Sequence, residues 1–550
     1  MESEDLLFKA VGAFGRYQII QYFIVSLNSF FEVDILYFNF ISYSPHHWCK
    51  VDFNDHRQNL TAVEKRNFTI PWDDNYNRYS QCLQYSIYKN DSSLEANNTS
   101  ATTKCDSWHY DNSLYEHTTV TEWDLVCDRE WMVDFLPTVH VLGILIGSMI
   151  ASMVSDRFGR WLGTLIFLVI KTFSNILSMV APSVEVLFVA RFFLGIGGIG
   201  AYLDSFVLLL ETTSPKHRTW MGSLLPITFS MGSMALAGLA YLVRHWRNLQ
   251  IGVVVGTSLV MFMTAFLMYE SPRWLMQRGE KEKAIKILKK IGKRNKRPYS
   301  DKVEAFLDGH MLEREKQPES KMKISKLCES ATVRKYTVIS AVAWFCASLL
   351  FYALSINAKS LSGNIFLNFF LLSMIEVPAN LVAFFCLRSR LGRRFTLVMA
   401  FMVAGIACFV SIPLLIIYGK SSFTTALAIT GKFGGTVAFT GVYIYTAELF
   451  PTEIRNVAVG VSSLSSRMGA LLGTYAGGSM GNIWTPLPSL LFGIAGTLSG
   501  FLILLLPETR GTVLKDTVHE QEVADHKKNE DVYTADEDKH ESVKLAENSA

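Results

Sequence analysis

The sequence predicts an all-α membrane protein of twelve transmembrane helices in two six-helix halves, and three observations lead to this prediction. Half of the 550 residues are hydrophobic and only 18% are charged. Apolar runs of about 20 residues, long enough to cross a hydrocarbon core, recur twelve times. Charged motifs repeat between the halves. This composition excludes a soluble multidomain enzyme, and a net charge of +3 is too small to suggest a nucleic-acid-binding protein.

The predicted spans follow from those apolar runs. Helix 1 is the most polar span, because Asn28, Glu32, Asp34 and Asn39 fall within it. The spans are placed at residues 18–42, 133–154, 162–181, 186–210, 220–242, 249–269, 335–357, 364–387, 395–417, 424–446, 457–479 and 486–506.

Orientation follows from the lysines and arginines of the short loops, which collect on the cytoplasmic side of a membrane. Arg160, Lys216, Arg393 and Arg455 all follow even-numbered helices, so we place those links and both termini in the cytoplasm. The resulting segments are a cytoplasmic N terminus (1–17), helix 1 (18–42), an extracellular domain (43–132), helices 2–6 (133–269), a cytoplasmic loop (270–334), helices 7–12 (335–506) and a cytoplasmic tail (507–550).

The link between helices 1 and 2 holds four of the eight cysteines and five N-glycosylation sequons. Disulfides and N-linked glycans both belong to the extracellular side, so the two features support each other. Four cysteines allow three pairings, among which the sequence does not choose. We predict two disulfides among Cys49, Cys82, Cys105 and Cys127, and glycans at some of Asn59, Asn67, Asn90, Asn97 and Asn98.

Charged motifs after helices 2, 4 and 6 recur after helices 8, 10 and 12. Ser155-Asp-Arg-Phe-Gly-Arg160 is matched by Arg388-Ser-Arg-Leu-Gly-Arg-Arg394, and Glu270-Ser-Pro-Arg by Pro507-Glu-Thr-Arg. Six helices have been duplicated in parallel. Two such halves are the plan of major facilitator transporters, whose substrate site lies near the middle of the membrane.

Acids and arginines at these helix ends can form charge-assisted bridges that hold one state of an alternating-access cycle and break in the other. The alternative is that the arginines only obey the positive-inside rule, which acids at matching offsets make less attractive. The predicted gating residues are Asp156, Arg157, Arg160, Glu211, Arg218, Glu270, Arg273, Glu448 and Arg455.

The chain resembles the organic cation, anion and zwitterion transporters of the major facilitator superfamily over essentially its whole length. Besides the repeated motifs, Thr121-Glu-Trp-Asp-Leu-Val-Cys127 and Tyr445-Thr-Ala-Glu-Leu-Phe-Pro-Thr-Glu-Ile-Arg-Asn456 carry the resemblance. Gly431-Lys-Phe-Gly434, Glu376-Val-Pro378 and Val461-Ser-Ser-Leu-Ser-Ser-Arg467 are most similar to the carnitine branch, which implies quaternary-ammonium substrates that bear a carboxylate. Where the sodium-coupled carnitine members carry an Asn before a Tyr in helix 4, this chain has Ala201 before Tyr202.

Charged residues inside the spans are candidate site residues, because a charge in hydrocarbon costs a few kcal/mol. Arg467 suits a substrate carboxylate, since a guanidinium binds it through two hydrogen bonds; an internal ion pair is the alternative. Lys432 can steer substrate or form a structural salt bridge. Asp204 and Glu376 can balance a substrate ammonium, bind a coupling proton or neutralise the two cations.

Glu32 and Asp34 are weaker candidates, because residues two apart on a helix point to different faces. Lys171 and Arg191 are expected to be structural. A quaternary ammonium has no hydrogen to donate and is held by aromatic faces, although membrane aromatics more often serve packing. The aromatic candidates are Trp344, Phe351, Tyr202, Tyr352, Phe439 and Tyr443, of which the last three match the family's central cavity.

Taken together, the sequence predicts a plasma-membrane secondary transporter of carnitine-like zwitterions or organic cations. An organic anion exchanger, or a receptor or scaffold that does not transport, are the alternatives. Metal-binding, nucleotide-binding and nucleophile motifs are absent from the sequence, so neither an enzyme nor a cofactor is predicted. Coupling to sodium or to protons stays open. The expected partners are the small-molecule substrate and membrane lipid, which the basic loop after helix 6 contacts, and not nucleic acid.

Overall fold

A computed structural model of the chain describes residues 12, 14–50, 69–73, 78–85, 102–297, 326–356, 358, 361–451, 453–478, 480–511 and 520. The chain divides into two compact units. Unit 1 comprises Met1–Pro298, Ile356–Ser360 and Asn364–Phe370, and unit 2 comprises Tyr299–Ser355, Leu361–Gly363 and Leu371–Ala550.

Six long helices build unit 1: α1 (Arg16–Phe30), α2 (Trp131–Phe158), α3 (Arg160–Met179), α4 (Val184–Glu211), α5 (Pro215–Leu242) and α6 (Trp246–Leu267). Shorter elements are a 3-10 turn at Val33–Ile35, helices at Phe38–Ile41, Thr119–Trp123, Pro272–Gln277 and Lys281–Arg294, and a 3-10 turn at Cys127–Arg129. The Lys281–Arg294 helix is amphipathic, as the sequence predicts, and buries Ala284, Ile285, Leu288 and Ile291.

Unit 2 is built from α7 (Ala331–Ile356), α8 (Ile365–Met374 and Glu376–Cys386), α9 (Gly392–Tyr418), α10 (Ser422–Leu449), α11 (Arg455–Gly478) and α12 (Leu487–Ile503). Short helices at Lys326–Glu329 and Met480–Ile483 complete the described residues. The core of this unit gathers Trp344, Phe401, Phe450 and Phe492, each at most 2% exposed.

Nine helical segments in the described part of the chain are long and apolar enough to cross a membrane: those of α1 to α9. The α12 helix is apolar but shorter, and α10 and α11 do not meet the same standard. The prediction of a helical membrane protein is therefore supported, and the count of twelve spans stays a prediction.

The helix predicted at 18–42 is not continuous. It ends at Phe30, resumes as a 3-10 turn at Val33–Ile35, and ends with a single turn at Phe38–Ile41. The α8 helix is also interrupted, at Ile375. Pro378 explains this second break, because its ring displaces the carbonyl four residues earlier and it has no N–H to donate.

The segment between α1 and α2 contains six short strands: β1 (His47–Cys49), β2 (Trp72–Asp73), β3 (Arg78–Tyr79), β4 (Leu83–Tyr85), β5 (Thr102–Lys104) and β6 (Trp108–Tyr110). They form three antiparallel pairs, β1–β6, β2–β3 and β4–β5, and β1 aligns His47 with Tyr110. Disulfides join Cys49 to Cys105 and Cys82 to Cys127, which selects one of the three possible pairings.

This segment is anchored to the start of α6. Glu122 accepts a hydrogen bond from the Trp246 indole at 2.6 Å and forms an ion pair with Arg247. The backbones of His117 and His245 form a β-bridge. The five sequons, whose glycans stay a prediction, lie outside the described residues.

Close packing of α3 on α4 depends on glycine. A Cβ on Gly197 would lie 2.5 Å from the Lys171 backbone nitrogen and 2.9 Å from its Cα. A Cβ on Gly200 would lie 2.4 Å from the Phe167 ring. The missing side chains let the backbone of α4 approach that of α3, which positions Lys171 inside unit 1.

We expect Gly197→Ala to destabilise the protein by about 1–3 kcal/mol, because backbone atoms of α3 cannot move aside as a flexible side chain can. Thermal unfolding of the purified protein in detergent measures this. Gly238→Ala in α5 is the matched control, since nothing lies within 4 Å of a Cβ at that position. Equal unfolding temperatures for the two variants would contradict the packing argument.

Candidate functional site

Lys432 of α10 is held inside unit 2 by a complete set of acceptors. Its Nζ lies 2.8 Å from Oε1 of Glu376, and both side chains are almost fully buried. The same Nζ donates to the Ser355 hydroxyl at 2.5 Å and to the Phe351 carbonyl at 3.1 Å. Three acceptors match the three hydrogens of an ammonium group, so this pair is satisfied without a ligand.

Five rings form an aromatic row in unit 2. Phe439 occupies its middle, with its ring centroid 5.1 Å from that of Phe351, 5.6 Å from Tyr443 and 6.3 Å from Tyr352. The Trp344 ring lies 4.1 Å from that of Tyr443 and donates its indole N–H to Thr446 at 2.8 Å. Tyr443 is 39% exposed, whereas Trp344 is fully buried. The row therefore has an accessible edge backed by a buried ring.

Arg467 of α11 differs from Lys432 in its partners. Its residue is 6% exposed, and its Nε has no hydrogen-bond acceptor. Tyr443 is close enough to interact with its charge. Among the described residues, no carboxylate forms an ion pair with Arg467, so its guanidinium is a buried cation without a resident counter-ion.

A second buried charge cluster lies in unit 1, and we call Glu32, Asp34 and Lys171 the Lys171 cluster. The Lys171 ammonium is 2.6 Å from Glu32 Oε2 and 3.5 Å from Asp34 Oδ2. It also donates to the Phe31 carbonyl at 3.1 Å. The expectation that the two acids face different sides is wrong, because the chain is not α-helical there and both carboxylates turn toward one lysine.

Arg191 of α4 is fully buried beside this cluster. Its guanidinium stacks over Tyr37 at 5.4 Å and Phe38 at 5.2 Å, and Nη2 donates to Gln250 at 3.0 Å. The Arg191 carbonyl is 3.2 Å from Nδ1 of His140. Rings and neutral polar groups thus take the place of a carboxylate around this arginine.

Asp204 and Tyr202 of α4 lie in different surroundings. Asp204 is 2% exposed, and its Oδ2 would be 2.5 Å from a Cβ placed on Gly163 of α3. Tyr202 is half-buried and stacks on Phe206 with centroids 6.3 Å apart. The two predicted site residues are therefore not brought together with Lys432, Glu376 or Arg467 in unit 2, and their substrate roles stay predictions.

The predicted gating residues of unit 1 meet around Arg160, at the end of α2. Its guanidinium pairs with Asp156 at 2.9 Å and with Glu211 at 3.2 Å. Glu270 accepts the backbone N–H groups of Arg160 at 2.8 Å and Trp161 at 3.1 Å. Burial raises the pKa of the Glu270 carboxyl, and these N–H donors oppose that effect.

Unit 2 repeats this network. Glu508 accepts the backbone N–H groups of Arg393 at 2.8 Å and Arg394 at 3.0 Å. Arg393 pairs with Glu448 at 2.9 Å. Arg455 donates to the Phe450 carbonyl at 3.3 Å, as Arg218 donates to the Thr213 carbonyl at 2.9 Å. Each network closes within its own unit.

Two predicted gating arginines have other surroundings. The Arg157 guanidinium lies over the Phe158 ring, and its carbonyl accepts from Arg278 at 3.2 Å. Arg273 lies in the Pro272–Gln277 helix. The gating set from sequence also omitted Arg393 and Glu508, although the repeat itself contained the signal for both.

Glycine makes both networks possible. Gly159 has φ +105° and Gly392 has φ +78°, which favour glycine, and a Cβ would lie 2.2 Å from Glu270 Oε2 or 2.4 Å from Glu508 Oε2. The described residues contain no group of three or more His, Cys, Asp or Glu that could hold a metal ion.

We expect Gly392→Ala to cost about 1–3 kcal/mol more stability than Gly419→Ala, because Glu508 must move and lose charge-assisted hydrogen bonds. Gly419 is the matched control: its φ is +64°, but nothing lies within 4 Å of a Cβ there. Thermal unfolding in detergent compares the two variants. If both unfold at the same temperature, the contact with Glu508 does not support the α9 end.

Known proteins resemble the chain in sequence and in fold. The family model described as "Sugar (and other) transporter" matches residues 92–519. The chain is 31% identical to an organic cation transporter-like protein of Drosophila melanogaster, over 95% of this chain and 93% of that protein. It is 30% identical to solute carrier family 22 member 1 of Oryctolagus cuniculus, over 95% and 96%.

A solved structure of the xylose transporter of Escherichia coli, in a partially occluded inward-open conformation, matches with a TM-score of 0.57 at 14% identity. It covers 90% of this chain and 100% of that chain, and at this identity it supports the fold alone. The predicted major facilitator fold is thereby confirmed. The chain belongs to the organic cation transporter family of solute carriers, within the sugar (and other) transporters, and is a multi-pass membrane transporter rather than an enzyme.

Proposed function

We propose that this protein moves zwitterions with a quaternary ammonium and a carboxylate, such as carnitine, or simpler organic cations, across the plasma membrane by alternating access. The observation that carries the zwitterion proposal is the buried Arg467 guanidinium without a resident counter-ion. Its planar donors match a carboxylate in bidentate geometry, and a substrate carboxylate would supply the missing charge. A purely cationic substrate would leave Arg467 unpaired.

The aromatic row supplies the complementary part of the site. A quaternary ammonium binds to ring faces and edges rather than to hydrogen-bond acceptors. Tyr443 is exposed at the edge of the row and lies near the charge of Arg467. One substrate that carries both groups would engage both neighbours.

An organic anion exchanger is supported less well, because it would require Lys432 as well as Arg467 to bind substrate. Lys432 is already bound to Glu376, Ser355 and Phe351 and is fully buried. We assign Lys432 and Glu376 a structural role as an ion pair. The receptor or scaffold alternative receives no support from the family, whose curated members are transporters.

The two repeated networks are proposed as cytoplasmic latches that form and break during alternating access. Orientation with both termini in the cytoplasm, an extracellular disulfide-bonded and glycosylated segment, and contact of the basic Lys281–Arg294 helix with anionic lipid belong to the same proposal.

We expect Arg467→Ala to lower carnitine uptake about thirty-fold in cells with equal surface expression, because truncating one partner of a buried ion pair costs about 2 kcal/mol or more. Uptake of tetraethylammonium, which has no carboxylate, is expected to change little. Arg467→Lys keeps the charge but loses the planar geometry and should give an intermediate loss.

Arg390→Ala is the matched control, since Arg390 is exposed in the link between α8 and α9. Equal loss of both substrates in Arg467→Ala would indicate a structural role and exclude the carboxylate assignment. Absence of carnitine uptake by well-expressed wild type would refute the zwitterion proposal and direct the search to simple cations.

A further inference from the structure

The break in α1 places irregular backbone inside a predicted membrane span. Residues 31–37 are not α-helical, so carbonyls near the end of α1 lose their usual donors. Such breaks occur in membrane proteins where the backbone is buried in protein or lines a cavity, and they often form ion and substrate sites. The break is therefore the place in unit 1 to ask what its charged side chains do.

Lys171 satisfies this break from the neighbouring helix. Its ammonium donates to the Phe31 carbonyl and pairs with Glu32, while Asp34 Oδ2 lies 3.5 Å away and accepts no hydrogen bond. One lysine thus stands between two carboxylates, and only one of them holds it closely. A small movement of Nζ would exchange the closer partner.

Glu32 is the member of the cluster that solvent reaches. Its side chain is 18% exposed, compared with 5% for Asp34 and 0% for Lys171. Glycine makes room for it, because a Cβ on Gly198 of α4 would lie 2.6 Å from Glu32 Oε1. A proton arriving from water meets Glu32 before it meets the other ionisable groups.

The charges around Glu32 come from several helices. Besides Asp34 on its own segment, α3 contributes Lys171, α4 contributes Arg191 and α2 contributes His140. Near the break, α5 and α6 approach through the uncharged Gly232 and Gln250. With two acids and two bases ionised and His140 neutral, the group has no net charge, so uptake or loss of one charge is felt by the whole cluster.

A proton fits this place better than a metal ion. Hard cations bind in shells of several oxygen ligands. Here the Lys171 ammonium already occupies the space between the Glu32 and Asp34 oxygens and would repel a second cation. A proton needs only one carboxylate oxygen, and acidic side chains in membrane transporters serve as proton carriers.

We propose that Glu32 binds and releases one proton during each transport cycle, while Lys171 changes its closer partner from Glu32 to Asp34. The proton comes from water and forms an O–H bond on the Glu32 carboxyl, and the hydrogen bond from Lys171 to Glu32 is lost. Deprotonation reverses both changes and returns the proton to water on the other side. This inference rests on the proposed transport function and deepens it by naming the coupling ion.

The experiment uses full-length protein in liposomes with a trapped pH-sensitive dye. Carnitine is the substrate, or tetraethylammonium if the uptake experiment favours it. Counterflow of labelled against unlabelled substrate reports transport itself, and the dye reports proton movement. Wild type is expected to show counterflow together with a substrate-dependent change of internal pH.

Glu32→Gln should keep counterflow but lose the proton signal and the pH dependence of uptake, because an amide still accepts from Lys171 but does not titrate. Asp34→Asn is the matched control: it should slow transport and keep the proton signal. If Glu32→Gln does not fold, the double variant Glu32→Gln with Lys171→Met removes the pair as a unit and should transport without protons.

Absence of counterflow in wild type would refute the proposed function. Counterflow without a proton signal in wild type, or an unchanged proton signal in Glu32→Gln, would overturn the inference about Glu32. Loss of the proton signal in Asp34→Asn alone would assign the proton to Asp34 instead. A requirement for sodium over potassium that disappears in Glu32→Gln would identify a metal cation and also overturn the proposal.

Discussion

The cost of burying charge in helices that cross hydrocarbon is the constraint on which the interior of this protein depends. Lys432 and Lys171 are both completely buried, and each has a carboxylate, a backbone carbonyl and one further oxygen around its ammonium. Arg191 is surrounded by two rings and an amide. Against this background Arg467 is the exception, because its counter-charge is not among the described residues, and a transporter interior that requires a visiting charge is incomplete without its substrate.

Duplication left different traces at the helix ends and in the interior. The carboxylates of Glu270 and Glu508 accept equivalent backbone donors beside equivalent glycines, so the two units end in the same way. The interior ion pairs are not equivalent: Lys171 pairs with acids that precede it in a broken first helix, whereas Lys432 pairs with Glu376. The mechanical parts have kept their form, and the parts that contact ions or substrate have diverged.

The elements that local sequence determines were predictable. Apolar length predicted the helices α1 to α9 within a few residues, and the charged repeat predicted which loop residues would meet, because partners in each network are neighbours of a helix end. The break at Glu32 was not predictable, since it depends on Lys171, which lies more than a hundred residues away and was expected to be structural. The position of Asp204 against Gly163, and the choice among three disulfide pairings, depend likewise on which elements face each other.

The dependence of the α1 break on Lys171 has a consequence for how such a chain can evolve. A substitution that removes the lysine alone leaves two buried acids and an unbound Phe31 carbonyl, and loss of one acid alone changes the net charge of the cluster. Single steps away from this arrangement are therefore unfavourable in either direction. Positions 32, 34 and 171 form one inherited unit, and a lineage that repairs the helix must replace the three residues together.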